Sequence, residues 1–277
     1  MQVITLTTDF GTKNFWLSAI KTKLLKALPE HSIVDISHEI SPYNYLECAY
    51  IIRSSIPFSH PWTIHIIGFE VSSTPESRIL IVQYKNQYFI VGDNGLMGLI
   101  ASKNSFDKII SVSELYIKRS SFMTLDTLTP IAIELAKNKS PEKLGTEVTE
   151  IELLKPELPI LNPKASKIIG QIIFIDRFGN LVTNISKTDF YSLGRDQHFR
   201  IIARGFRIET IYDSYADCAI KANTTKSPLG SKFALFNSNN LLELGIYKGD
   251  PKTVGSANTL YGLKYRDHIT IEFFEPQ

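Results

Sequence analysis

Two cysteines in 277 residues, Cys48 and Cys218, are too few for a disulfide framework and lack metal-ligand spacing, which fits a reducing compartment. The six histidines, His31, His38, His60, His65, His198 and His268, form no tight pair and have no cysteine partner, so no metal is expected. Charge of one sign is also missing. With 30 Lys plus Arg against 28 Asp plus Glu, the net charge of +2 gives no electrostatic footprint for nucleic acid or an acidic membrane. The expected partner is a small molecule. No apolar run approaches a membrane span, and Met1-Gln2-Val3-Ile4-Thr5 carries no basic segment ahead of a long apolar core. A cytoplasmic protein without membrane association is the expectation. Internal repeats and low-complexity tracts are absent too.

What is present is enough apolar sequence, 43%, to bury a full core, in a length that suits two domains. Val3 to Leu6 reads as a buried strand, and Leu17, Ile20, Leu24 and Leu28 fall on one face of the helix that follows. Between them lies Thr7-Thr8-Asp9-Phe10-Gly11. That puts Asp9 at a strand-to-helix turn, where open α/β sheets bind small ligands and a carboxylate can accept both hydroxyls of a ribose. Capping the helix or closing the turn is the other use of an aspartate there.

Further strands are expected at Ser32 to Ser37, Trp62 to Phe69, Arg78 to Tyr84, Gln87 to Val91 and Lys108 to Val112. Helices are expected after Asn44, whose spacing to Glu47 is a variant of the capping box, at Leu96 to Ala101, and at Pro130 to Lys137. Tyr43 is left at a loop tip, Glu70 to Ser77 is a loop, Gly92-Asp93-Asn94-Gly95 is a turn, and Phe122 to Asp126 reads as a loop. Strands alternating with helices over residues 1–150 imply an α/β N-terminal domain, a central sheet flanked by helices. Pro156, Pro159 and Pro163 mark a connection over 151–167. From 168 to 277 short strands dominate: Ile168 to Ile175, Asn180 to Ile185, Phe199 to Ala203, Ile208 to Ile211, Phe233 to Phe236, Leu241 to Ile246 and His268 to Phe273. An all-β, barrel-like C-terminal domain is the expectation.

The densest polar cluster there is Asp176-Arg177-Phe178-Gly179-Asn180, with Thr183-Asn184 behind it. Such a sequence can simply be a turn. Its chemistry also suits a nucleoside with an amine, since Asn180 matches an adenine edge, Phe178 offers a flat face and Asp176 can hold an ammonium. Asn237-Ser238 ends a later strand, where a hydroxyl can receive a carboxylate.

Taken in order, Leu6-Thr7-Thr8-Asp9-Phe10-Gly11, Val34-Asp35-Ile36-Ser37-His38, Asp93-Asn94-Gly95-Leu96, Asp176 to Asn180, Asn237-Ser238 and Leu242-Glu243 resemble the S-adenosyl-L-methionine (SAM) hydrolase (adenosine-forming) family. Its members are also called SAM hydroxide adenosyltransferases and are related to SAM-dependent fluorinase and chlorinase. The resemblance implies a homotrimer with sites between subunits, SAM as substrate with no further cofactor, and attack of water or hydroxide at C5′. It implies that Asp9 holds the ribose with Tyr43 and Phe122 near the substrate, that Phe178 and Asn180 hold adenine, and that Asp176 and Ser238 take the amine and carboxylate of methionine. The catalytic positions depart from it. Gly68 stands where the family's Val-Asp-Pro-Gly-Val-Gly has aspartate, Met123 and Thr124 stand for His-Gly of Phe-His-Gly-Arg-Asp, and Asn14 replaces an early aspartate. Glu70 and Arg78 are the candidates left for catalysis, each with an ordinary alternative as a loop charge or a salt-bridge partner. If the strand continues past Gly68, Glu70 points to the same side and supplies the missing carboxylate. The alternative is a catalytically silent binder of SAM or adenosine.

Overall fold

A computed structural model describes residues 2–194, 197–221 and 230–275. The chain divides into two compact units, Met1–Pro156 and Glu157–Gln277. Among the described residues no helix is long and apolar enough to cross a membrane.

In the first unit, β1 (Val3–Thr8), β2 (Ser32–Ser37), β3 (Ile64–Gly68), β4 (Ile79–Tyr84), β5 (Gln87–Gly92), β6 (Lys108–Val112) and β7 (Gly145–Glu147) form one sheet. Its order is β2-β1-β3-β5-β4-β6-β7, parallel from β2 to β5 and antiparallel beyond. Alternation along each strand divides the apolar side chains between two faces. Ile4, Leu6, Ile64, Ile66, Ile79 and Ile81 pack with Ile20 and Leu24 of α1 (Trp16–Ala27) and with α4 (Thr129–Ala136). Ile67, Leu80, Val82 and Phe89 pack with Cys48, Ala49 and Ile52 of α2 (Tyr45–Ser55) and with α3 (Leu96–Ile100). The sheet is therefore covered on both faces, which is why its strands are apolar on both sides.

Local chemistry sets most boundaries. Asn44 accepts the Glu47 amide at 3.1 Å while the Glu47 carboxylate receives Asn44 Nδ2 and the Ser41 amide, so the expected cap opens α2. Lys85 and Asn86, with φ of 51° and 57°, make the tight turn joining β4 to β5. Trp62 takes a φ of 66°, which a strand cannot contain, so β3 begins two residues later than expected. The segment Phe122 to Asp126, expected as a loop, is instead drawn into a π-helix, Thr124–Leu128, that runs directly into α4. The Thr129 amide and hydroxyl both reach the Thr124 carbonyl, and that wider turn carries the helix through the residues ahead of Pro130, where a loop would be the default.

The second unit holds β8 (Ile160–Asn162), β9 (Lys167–Ile175), β10 (Leu181–Ser186), β11 (His198–Ala203), β12 (Phe206–Ile208), β13 (Lys232–Phe236), β14 (Leu241–Ile246) and β15 (His268–Phe274). The order is β12-β11-β15-β9-β10-β14-β13, with β8 paired to β9 inside the stretch expected as a connection. Residues up to Pro156 belong to the first unit, where the Leu154 amide donates to the Gly95 carbonyl. Tyr212, just beyond β12, bridges Leu235 of β13, so the sheet's two ends approach closure. The unit is not all-β. Helices α5 (Lys187–Gly194), α6 (Tyr215–Lys221) and α7 (Ala257–Leu260) interrupt the strands. Arg204, with φ 49°, and Gly205 turn the chain so that Ala203 faces Phe206, which places β12 earlier than the expected Ile208 to Ile211.

A buried imidazole sits inside the first sheet. His65 is 1% exposed, with Nδ1 2.7 Å from the Thr5 hydroxyl, Nε2 2.8 Å from Gln87 Oε1, and its ring stacked on Phe89. Burial pushes this imidazole down to about 4, against the Gln87 bond, which works upward. The unfolded chain takes that proton near pH 6.5 and the folded chain refuses it until about pH 4, so His65 stabilises the fold fully above pH 6.5 and loses that contribution as pH falls to 4. Denaturant midpoints between pH 7 and 4 should therefore report a loss of about 3 kcal/mol that is missing from a His65→Gln variant. Equal slopes in the two proteins would contradict it.

Candidate active site

Parallel pairing of Thr8 with Gly68 sets the carboxyl ends of β1 and β3 side by side, with β2 on the other flank of β1. This reversal of strand order is where open α/β sheets form their ligand crevice. A cleft of about 680 Å³ opens there, lined by Asp9, Phe10, Gly68, Glu70, Phe122 and Thr124 among others. Three stretches far apart in sequence thus meet within one unit.

Asp9 does not cap α1, whose cap position is Phe15 with no side-chain bond. Its turn is fixed from β2 instead: the Gly11 amide donates to the His38 carbonyl at 2.7 Å, and His38 Nδ1 lies 2.8 Å from the Thr8 hydroxyl. His38 Nε2 lies 3.1 Å from Asp35 Oδ1. The Val34 to His38 motif is therefore the clamp that holds Asp9 at the cleft. Asn14 closes the other side of the turn, donating to the Phe10 carbonyl and accepting the Trp16 amide.

Glu70 reaches the cleft by a different route from the one expected. β3 ends at Gly68, and Glu70 adopts φ 48°, so no continued strand aims it. Asn94 holds this turn, donating to the Phe69 and Glu70 carbonyls at 3.0 and 3.1 Å while accepting the Leu96 amide. Burial lifts the Glu70 carboxyl above its usual range and the neighbouring Asp9 charge lifts it further. Asp9 is raised by burial, against a bond from its own backbone.

The remaining candidates fall in other places. Arg78 does not line the cleft; it pairs with Asp93 and donates to the Glu150 carbonyl at 3.0 Å, clamping the end of the first unit. Tyr43 is 76% exposed on a turn with φ 61° and is not among the cleft residues. In the second unit Asp176, Phe178 and Asn180 do come together, around a separate pocket of about 280 Å³ that also includes Tyr215 and Phe233. Asp176 closes its own turn by accepting the Phe178 and Asn180 amides at 2.8 Å each, and Asn180 Nδ2 at 3.0 Å. Gly179 needs its identity there: φ is 74°, and a Cβ would lie 2.2 Å from Ser256 Oγ. Ser238 sits in the β13–β14 turn and does not line that pocket. Sequence reasoning gave no role to Phe10, Trp16, Met123 or Thr124 as cleft residues, although Phe10, Met123 and Thr124 stood inside motifs it had quoted.

Gly68 and Thr124 explain each other. A Cβ on Gly68 would lie 2.6 Å from Thr124 Oγ1 and 2.7 Å from Cγ2, so the space beside β3 is already filled by the threonine. Met123 is 4% exposed and packed in the apolar core.

These features define a two-unit protein with a small-molecule cleft at the switch point of an α/β sheet. The chain belongs to the SAM hydroxide adenosyltransferase family: the model of that family's N-terminal domain matches residues 4–145 and that of its C-terminal domain residues 170–270. It is 31% identical to an (R)-S-adenosyl-L-methionine hydrolase of Methanocaldococcus jannaschii, over 98% of this chain and 96% of that one. A Thermus thermophilus protein of the same name is 21% identical over 95% of this chain and 97% of its own length. Among solved structures, an uncharacterised conserved protein of Thermotoga maritima shares the fold with a TM-score of 0.80, at 24% identity, over 98% of this chain and 100% of that chain.

The Gly68–Thr124 contact yields a direct test. Gly68→Ala alone should cost about 1 to 3 kcal/mol in denaturant stability, and much less when made together with Thr124→Ala, which removes Oγ1 and Cγ2. Strictly additive effects would show that the two positions do not share this space.

Proposed function

We propose that this protein cleaves SAM into adenosine and L-methionine by attack of water or hydroxide on C5′. The reading is carried by the meeting of Asp9 and Glu70 in one cleft, with the Glu70 pKa raised towards the range useful in a general base. As the water oxygen bonds to C5′, the C5′–S bond breaks and its electron pair goes to sulfur, giving the thioether of methionine. The water's proton passes to Glu70. Asp9 accepts the ribose hydroxyls, and the cleft holds water in line with the C–S bond while excluding the rest. In this reading Phe178 and Asn180 hold adenine, Asp176 and Ser238 take the amino-acid end, and Tyr43 and Phe122 flank the ribose. Arg78, tied to Asp93, fixes the far end of the loop that begins at Glu70. The reading requires an assembly, proposed as a homotrimer, in which both sets of groups reach one ligand; sedimentation velocity tests its mass.

Purified protein incubated with SAM should release adenosine above the spontaneous rate, followed by chromatography. Glu70→Gln should lower that rate by about a hundredfold. Full activity in this variant would remove Glu70 as the base. Asp9→Ala and Asn180→Ala should each weaken SAM binding by about 1 to 3 kcal/mol through polar groups left unpaired. A second reading, a silent SAM or adenosine binder, draws support from Thr124, which fills the space beside Gly68 where the family pattern has a carboxylate. SAM bound in calorimetry with no adenosine above background would favour it.

A further inference from the structure

The first unit's cleft has a charge pattern that hydrolysis by itself does not demand. Among the described residues lining it are three carboxylates, Asp9, Glu70 and Asp126, and no lysine, arginine or histidine. Lys118 lies 3.3 Å from Asp126, which leaves the unmatched negative charge at Asp9 and Glu70. Beside them stand Phe10, Trp16 and Phe122, whose ring centroids are 5.4, 5.6 and 5.5 Å apart in pairs. Asn14 joins the backbones of Phe10 and Trp16, and Trp16 remains 38% exposed, so the group is both fixed and reachable.

Aromatic rings and carboxylates lining one cleft favour the same kind of guest. An aromatic quadrupole attracts a cation within about 6 Å of its centroid, and two half-buried carboxylates that repel one another are relieved by a positive charge in the same cleft. An anion would be repelled. A neutral group would leave the two carboxylates desolvated without compensation.

Resting on the reading above, we propose that this cleft selects a sulfonium over the neutral thioether of the same nucleoside, with Trp16, Phe10 and Phe122 as the specificity-determining residues. Cleavage turns the sulfonium into a thioether, so the feature that holds the substrate vanishes in the products. Product release follows from the same charge pattern.

The test compares SAM with S-adenosyl-L-homocysteine, which keeps the nucleoside and the amino acid and lacks the charge. Calorimetry on the full chain, in the cold before turnover consumes ligand, should give SAM an advantage of about tenfold. Trp16→Leu, which keeps apolar bulk and loses the aromatic face, should cut that ratio by about fivefold, while Trp16→Phe retains most of it. Phe122→Leu, with its melting curve alongside, serves if Trp16→Leu does not fold. Equal affinities in the unmodified protein, a ratio unchanged by either leucine variant, or binding of neither compound overturns the proposal. Selection without adenosine release would end the hydrolase reading and leave this one standing; adenosine release with equal affinities would do the reverse.

Discussion

The register of β1 against β3 is the constraint on which the rest depends. Adjacent strands lie about 4.8 Å apart, so pairing Thr8 with Gly68 makes the chain exits after them neighbours, whatever the loops then do. The register is not set by the site. Ile4 and Leu6 on β1 and Ile64 and Ile66 on β3 are fully buried on one face, and each such side chain contributes about 2 kcal/mol. A slip of one residue would exchange that face for the one carrying Thr5 and Thr7. Apolar burial deep in the sheet thereby decides where two carboxylates meet at its end.

Each carboxylate is then held by groups that never enter the cleft. His38 grips both Thr8 and Gly11 on either side of Asp9, and Asn94 spends its amide on two carbonyls around Glu70. A left-handed glutamate costs roughly 1 kcal/mol or more, so its conformation persists because Asn94 over-determines it. The π-helix performs a comparable service for Thr124, bringing its side chain against Gly68 in the turn before Pro130. The bare backbone at Gly68 and the side chain of Thr124 thus share one packed space.

Much of the first unit was legible because its signals are local. Asn44 with Glu47, the Lys85-Asn86 turn and the single apolar face of α1 each state their structure within a few residues. The π-helix was not, since its cause is a carbonyl shared five residues on, beside a proline that normally ends a helix on its N-terminal side. The helices of the second unit had a readable signal that went unused. Ser186 with Asp189, Ser214 with Asp217 and Ser256 with Thr259 are each a serine hydroxyl at a helix start with a polar partner three residues on. In the site, residue identity was legible and geometry was not. Asp9 and Glu70 could be singled out as acids, yet only the β1–β3 pairing shows that they share a cleft, and only the Asp93 contact shows how Arg78 is occupied.

The proposed chemistry and the proposed selectivity place opposite demands on the same carboxylates, and the charge of the ligand reconciles them. Burial and the Asp9 charge raise the Glu70 pKa, which works against the ionised form that a base must have. In the proposed reaction a sulfonium across C5′ from Glu70 lowers it, so the arriving substrate itself prepares the base. In the proposed reaction that positive charge disappears when the C–S bond breaks, and the influence that lowered the pKa goes with it. Stabilising the cation also stabilises the ground state, since positive charge is lost on the way to the transition state. Selection at sulfur must therefore be modest, and the larger share of binding has to come from the ribose, purine and amino-acid ends, whose interactions persist through the reaction.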